Sequence, residues 1–305
     1  MTAPIDVLTS REVPLGGPRA MRVRRTLPQR QRSLIGAWCF VDHYGPDEVE
    51  QSGGMVVAPH PHTGLQTASW LFEGEIEHRD SAGNHAAVRP GELNLMTAGH
   101  GISHSEVSTP DTTVLHGAQL WIALPDGARD TAPGFEHFAP EPVRGPGWQA
   151  RVFLGSLLGA SSPVRTHTPL LGVELMLATG RSLEIEVDQT FEHGVLLDVG
   201  AIDVDGAEVK ASDLVYAPPG RRTLTVTAHE EARLLLLGGP PFGGAIVMWW
   251  NFIGRTHDEI AGYREEWQAQ IVDGTQVDGR FGVVDLDLPP IPAPEMPNVR
   301  LKLRH

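Results

Sequence analysis

Apolar and polar residues alternate in short bursts along most of this chain. Met21 to Thr26 and Gly36 to His43 read as strands, and further segments follow at Leu65 to Phe72, Glu75 to Arg79, His85 to Val88, Glu92 to Met96 and Val114 to Ala123. Explicit turns separate them, at Glu73-Gly74, Ser81-Ala82-Gly83-Asn84 and Arg89-Pro90-Gly91. Short runs closed by Gly, Pro and Asn predict an all-β sandwich or barrel. The stretch from Pro133 to Gly147 is rich in Pro and Gly, shows neither strand nor helix periodicity, and reads as a linker over 135–147. After it the β pattern restarts at Gln149 to Leu154, Gly172 to Ala178, Ser182 to Val187, Gly194 to Val199, Asp213 to Tyr216, Arg222 to Val226 and Ala232 to Leu237. Two β units of similar size, over 1–134 and 148–305, predict tandem copies of one barrel.

One helix stands out, over 257–271. Thr256-His257-Asp258-Glu259 forms a capping box, and Ile260, Tyr263, Trp267 and Ile271 make an apolar stripe behind it. That stripe reads as ordinary packing, as do Trp249 and Trp250, which would fill the space between barrel and helix; the alternative for the tryptophans is an aromatic wall for a flat substrate. The proline-rich tail from Leu286 to Pro297 should run extended over a domain surface.

Composition narrows the functional classes. Lys and Arg number 24 against 38 Asp and Glu, a formal charge of −14, which repels phosphate backbones and argues against direct nucleic-acid binding. The short basic stretch from Arg19 to Arg32 is interleaved with Pro and Leu and does not change that. Cys39 is the only cysteine, lies in an apolar run, and reads as a small buried hydrophobe. The N-terminus lacks a basic region followed by an apolar one, and runs such as Leu234 to Leu237 are too short to span a bilayer. A cytoplasmic monomer with no membrane contact is expected.

Two pairs of residues carry candidate chemistry: His60 and His62 in His60-Pro61-His62, and His104 and Glu106 in His104-Ser105-Glu106. On a strand, residues two apart share a face, so each pair can aim both side chains at one point. Three imidazoles and a carboxylate suit a single iron, manganese, nickel, copper or zinc ion. Around an octahedral ion they leave two positions open, and Glu106 can either stay a ligand or take a proton from substrate. A closed zinc site that only stabilises the barrel is the alternative.

The framing of these pairs extends the reading. Gly54, His60-Pro61-His62, Gln66 and Gly74 match the first cupin motif except at Gln66, and Gly91, Gly99 and His104 resemble the second, with the histidine displaced by two residues. More narrowly, Ile35-Gly36, Phe40-Val41-Asp42-His43-Tyr44-Gly45-Pro46, His60 to Thr67, Thr97 to Glu106, Gln119-Leu120-Trp121 and Gly239-Pro240-Pro241-Phe242 resemble the pirin family over nearly the whole chain. That resemblance implies two cupin barrels of double-stranded β-helix type, with one divalent metal held in the first barrel by His60, His62, His104 and Glu106. The ion would be Fe(II), with Mn, Ni, Cu, Co or Zn as alternatives. Gln66 stands where many cupins and pirins carry glutamate, which leaves acid–base work to Glu106 as the catalytic residue.

The other histidines read differently. His78 and His85 suit surface or supporting positions, His43 would donate to a nearby carbonyl, and His100, where the family often has arginine, would be exposed or, alternatively, line the mouth of the site. His193 lies near a first-motif position of the second barrel without a partner ligand, and Arg221, Arg222 and Thr223 stand where a second motif would supply one. The second barrel is therefore expected to be metal-free. The resemblance implies a quercetin 2,3-dioxygenase-like enzyme acting on a small aromatic substrate and O2. Alternatives are a metal- or redox-sensing regulator working through a protein partner, and a metal-stabilised bicupin without chemistry.

Overall fold

The computed structural model describes residues 4–14 and 21–305. The extreme N-terminus and Arg19, at the start of the basic stretch, lie outside the described residues. The protein is mostly β-strand, and each half closes as a seven-stranded sheet over a four-stranded one. In the first half the large sheet runs in the order Gly134–Phe138, Leu93–Thr97, Leu65–Glu73, Val114–Ala123, Trp38–Glu48, Arg22–Leu27 and Arg11–Pro14. Its small sheet is Val56–His62, Ile102–Ser108, Ile76–Asp80 and His85–Val88. The second half repeats the plan: Asp6–Leu8, Leu214–Ala217, Glu192–Val199, Ala232–Gly239, Leu171–Leu177, Trp148–Leu154 and Val143–Gly145, over Ser182–Glu186, Thr223–Ala228, Ile202–Val204 and Ala207–Val209.

The two large sheets pack against each other, so their central strands are buried on both faces. Along Val114–Ala123, Ala118, Leu120 and Ile122 join the core between the barrels, while Gln119 and Trp121 point into the first barrel. In Ala232–Gly239, Leu235 and Leu237 face the same inter-barrel core and Leu234 and Leu236 the interior of the second barrel. Trp70 stacks on Phe153 across this seam with ring centroids 4.4 Å apart. Gly36 has φ +53°, and a Cβ there would lie 2.7 Å from the Gly239 Cα, so glycine lets the two backbones touch.

A polar knot pins the seam. Asp198 Oδ1 accepts from His43 Nε2 at 2.7 Å and from His116 Nε2 at 2.6 Å, and its Oδ2 accepts from Arg233 Nε at 2.5 Å. The other imidazole nitrogens are satisfied too: Ser212 Oγ donates to His43 Nδ1 at 3.0 Å, and Arg233 Nη2 to His116 Nδ1 at 3.3 Å. Both histidines are thus satisfied while neutral, and the guanidinium supplies the charge facing Asp198. Burial alone would raise the Asp198 pKa, yet the bonds from His116 and His43 hold it below the usual carboxylate range. His43 was expected to donate to a carbonyl; it reaches across to the second barrel because its strand sits at the seam.

Several segments cross between the halves. Asp6–Leu8 pairs with Leu214–Ala217 of the second barrel, a pairing invisible from three residues of local pattern. The expected linker carries two edge strands, Gly134–Phe138 on the first barrel and Val143–Gly145 on the second, because the open sheet edges supply the partners its own sequence lacks. The C-terminal segment returns to the first barrel: Ile253 N donates to Thr63 O, Ser103 N to Phe281 O, and Ile291 N to Pro59 O. The helix is His257–Ala269, two residues shorter than expected, with Ile271 in a small hairpin. Thr256 Oγ1 caps Glu259 N at 3.1 Å, but the Glu259 carboxylate accepts from Arg255 N and Arg129 instead of closing the box. Ile260 and Trp267 are buried beneath it with Phe252 and Phe281. Among the described residues no helix is long and apolar enough to cross a membrane.

Asp198→Ala leaves two histidines and an arginine facing a buried gap at the seam. It should cost about 3–5 kcal/mol in urea unfolding; a loss under about 1 kcal/mol, the range of an exposed pair, would mean that the knot does not hold the barrels together.

Candidate metal centre

Val56–His62 is an edge strand of the small sheet, which is where prolines such as Pro59 and Pro61 are tolerated. Opposite it, His104 pairs with His60 and Glu106 with Val57, so the extra residue of a bulge lies beside Pro59. The outcome is convergence inside the first barrel. Ligating atoms of His60, His62 and His104 all lie within 4.8 Å of one another, and the same holds for His78, His104 and Glu106. All five residues are buried.

The hydrogen bonds around the imidazoles fix which nitrogen faces inward. His60 Nδ1 donates to Ala58 O at 2.9 Å and His62 Nδ1 to Asn251 O at 3.0 Å, leaving each Nε2 lone pair free. His104 Nδ1 lies 3.4 Å from His78 Nδ1, and His78 Nε2 lies 3.2 Å from Asp80 Oδ2. If His104 offers Nε2 inward, its Nδ1–H donates to His78, whose own proton then sits on Nε2 facing Asp80. Asp80 is held by Ala82 N, Asn84 N and the Asn84 amide, and although burial opposes it, those bonds and His78 lower its pKa. Glu106 Oε1 accepts from Ser69 Oγ at 3.0 Å, and Ser69 also meets Gln119.

This donor set fits a metal ion. His62 Nε2 and His104 Nε2 are 3.0 Å apart, and two nitrogens bound cis to one ion at about 2.1 Å would themselves lie about 3 Å apart. Burial lowers the His60 pKa to about 4 and those of His62 and His104 well below their ordinary value, so all three are neutral with lone pairs available at pH 7. Burial raises the Glu106 pKa, with His78 and Ser69 opposing. The knot of His43, His116 and Asp198 has a metal-like composition as well, but there both Nε2–H groups point at Asp198 and Arg233 closes its other oxygen.

His60, His62, His104 and Glu106 line the buried end of a cavity of about 600 Å³. Phe40 and Trp121, stacked with centroids 4.0 Å apart, line it together with Met248, Trp249 and Trp250. Trp249 and Trp250 also pack against the core beneath the helix, the packing role expected of them. Arg11, Arg25 and Arg304 stand at the rim.

Comparison with known proteins agrees with this architecture. Residues 20–122 match the pirin family and residues 172–273 the pirin C-terminal cupin domain. A Pseudomonas aeruginosa protein named "Putative quercetin 2,3-dioxygenase" is 45% identical over 95% of this chain and 90% of its own length. The chain belongs to the pirin family. A crystal structure titled as quercetin 2,3-dioxygenase from Acinetobacter baumannii superposes with a TM-score of 0.90 at 40% identity, covering 97% of both chains. The bacterial pirin YhhW from Escherichia coli, solved in complex with nickel(II), shares the fold with a TM-score of 0.61 at 20% identity, over 78% of this chain and all of that one.

In this pirin several residues behave differently from their local sequence context. His78 is buried behind His104, although the alternation of Ile76, His78 and Asp80 on the inward face of one strand carries that signal. Asn251 and the rim arginines come from distant segments and leave no local trace. Gln66 is buried, donates to Thr97 Oγ1 at 2.9 Å, and does not line the cavity. His85 and His100 are exposed.

The second barrel has an apolar interior, built from residues such as Val173, Leu175, Val195, Leu197, Leu234 and Leu236. His193 is 1% exposed there, and neither ring nitrogen has a hydrogen-bond partner among the described residues. Burial, opposed by Asp188 and assisted by Arg221, lowers its pKa from 6.5 to about 4. Between those values the unfolded chain binds a proton that the folded chain refuses, so stability falls as pH drops through that window and is fully retained above it. Urea unfolding at pH 7 and pH 4 should show wild type losing roughly 3 kcal/mol more than His193→Leu; parallel losses would sink this assignment.

Proposed function

We propose that this pirin is a metal-dependent dioxygenase of quercetin 2,3-dioxygenase type, acting on flavonols or similar enols, with His60, His62, His104 and Glu106 holding one divalent ion, Fe(II) foremost. What carries this reading is the cluster of three buried imidazoles, His60, His62 and His104, with the buried carboxylate of Glu106 beside His104, all four lining one cavity with aromatic walls. The names of its relatives from Pseudomonas aeruginosa and Acinetobacter baumannii support the reaction class.

When bound, the ion would supply Lewis acidity toward an enol oxygen and a place for O2. The rest falls to the chain. Phe40, Trp121, Trp249 and Trp250 offer flat apolar surface that orients a planar ring system and excludes water from the reacting face. Ala58 O, Asn251 O and the His78–Asp80 pair hold the imidazoles in one tautomer and one orientation. Glu106 takes the proton of the substrate hydroxyl, with Ser69 holding its Oε1 in place. No other carboxylate lines the cavity among the described residues, so that role has one candidate.

Fe(II)-loaded protein should consume O2 and bleach quercetin absorbance in an oxygen-electrode assay. His60→Ala should lose both bound metal and turnover, whereas Glu106→Gln should keep much of the metal and lose about 100-fold or more in kcat. Metal-replete wild type that turns over no member of a flavonol and enediol panel would dispose of the dioxygenase reading.

A further inference from the structure

The cavity rim carries charge that the proposed chemistry does not use. Arg25 is committed: Nε and Nη2 each donate to Asp42 at 2.6 Å, and the guanidinium lies 4.2 Å from the Phe40 ring centroid. Arg11 donates Nη1 to the Pro28 carbonyl at 3.0 Å and forms no ion pair among the described residues. The Arg304 side chain has neither hydrogen bond nor ion pair there, although its backbone is fixed by paired bonds to Ile246 at 3.0 and 2.8 Å. The rim therefore has two cations in excess of its one carboxylate.

This arrangement works against stability. Arg11 and Arg25 are direct cross-strand partners, a placement in which like charges repel. Burial, Arg25 and Arg304 all lower the Arg11 pKa, and Asp42 only partly opposes them. In a chain of net charge −14, three arginines gathered at the mouth of one cavity, two of them without a carboxylate, are not explained by packing. Guanidinium forks match planar oxyanions and pair with them through two parallel N–H donors.

We infer that Arg11 and Arg304 recognise a second acidic group on the substrate, a carboxylate or sulfonate borne on the ring system away from the enol that faces the histidines. The substrate class becomes an anionic aromatic enol. The enol half rests on the dioxygenase reading; the anion half rests on the rim alone.

Binding can therefore be measured apart from turnover. Metal-loaded, full-length protein is titrated under argon with quercetin and with its A-ring and B-ring sulfonates, following tryptophan fluorescence. At least one sulfonate should bind about tenfold more tightly than quercetin. That preference should shrink with added salt, fall to near one in the double variant Arg11→Gln with Arg304→Gln, and survive in Arg11→Lys. A melting curve checks that the double variant is folded; if it is not, the single variant Arg304→Gln should lower the preference at least threefold. Equal affinities for all three ligands, no binding of any, or a preference unchanged in the variants overturns the inference. A preserved preference with no O2 uptake in air leaves it standing and removes only the dioxygenase reading.

Discussion

Everything here depends on strands that must satisfy two interiors at once. A pleated strand sends alternate side chains to opposite faces, so a strand lying between two cores carries two independent sequences woven together. In Val114–Ala123 one of them, Ala118, Leu120 and Ile122, builds the seam, and the other supplies Gln119 and Trp121 to the cavity. A slip of one residue would exchange the two sets. The seam thus fixes the register of the wall, and the Asp198 knot fixes the seam.

Two buried polar assemblies lie on opposite sides of that shared wall and are satisfied in different ways. In the knot, every imidazole nitrogen has a partner, and a guanidinium closes the carboxylate. In the cavity, backbone carbonyls hold the outer nitrogens of His60 and His62, and the Nε2 atoms of His62 and His104 face each other at 3.0 Å. The same residue types therefore produce a fastener in one place and a cluster of imidazoles facing a cavity in the other. The second barrel takes a third course and fills its interior with aliphatic side chains, leaving His193 without a partner.

Much of this was legible in the sequence, and the reasons differ by residue. The strands were readable because turns at Glu73-Gly74 and Arg89-Pro90-Gly91 frame clear two-residue periods. The pairing of His60 with His62 was readable because neighbours two apart share a face whatever the fold. His43 was not, since its partner is 155 residues away and nothing local distinguishes an imidazole facing a seam from one facing a carbonyl. His78 and Asp80 could have been found by extending the alternation through Ile76. Asn251, Arg11 and Arg304 could not, because only the path of the two termini brings them to the cavity.

That path has a consequence in time. The carbonyl that orients His62 belongs to Asn251, and the wall beside it belongs to Trp249 and Trp250. At about 5–20 residues per second, a ribosome finishes the strands bearing the histidines roughly 7 to 30 seconds before it reaches that stretch. During the interval His62 lacks its Asn251 partner and the cavity lacks its tryptophan wall. The brace on His62 and the far wall of the cavity are therefore synthesised well after the histidines they serve.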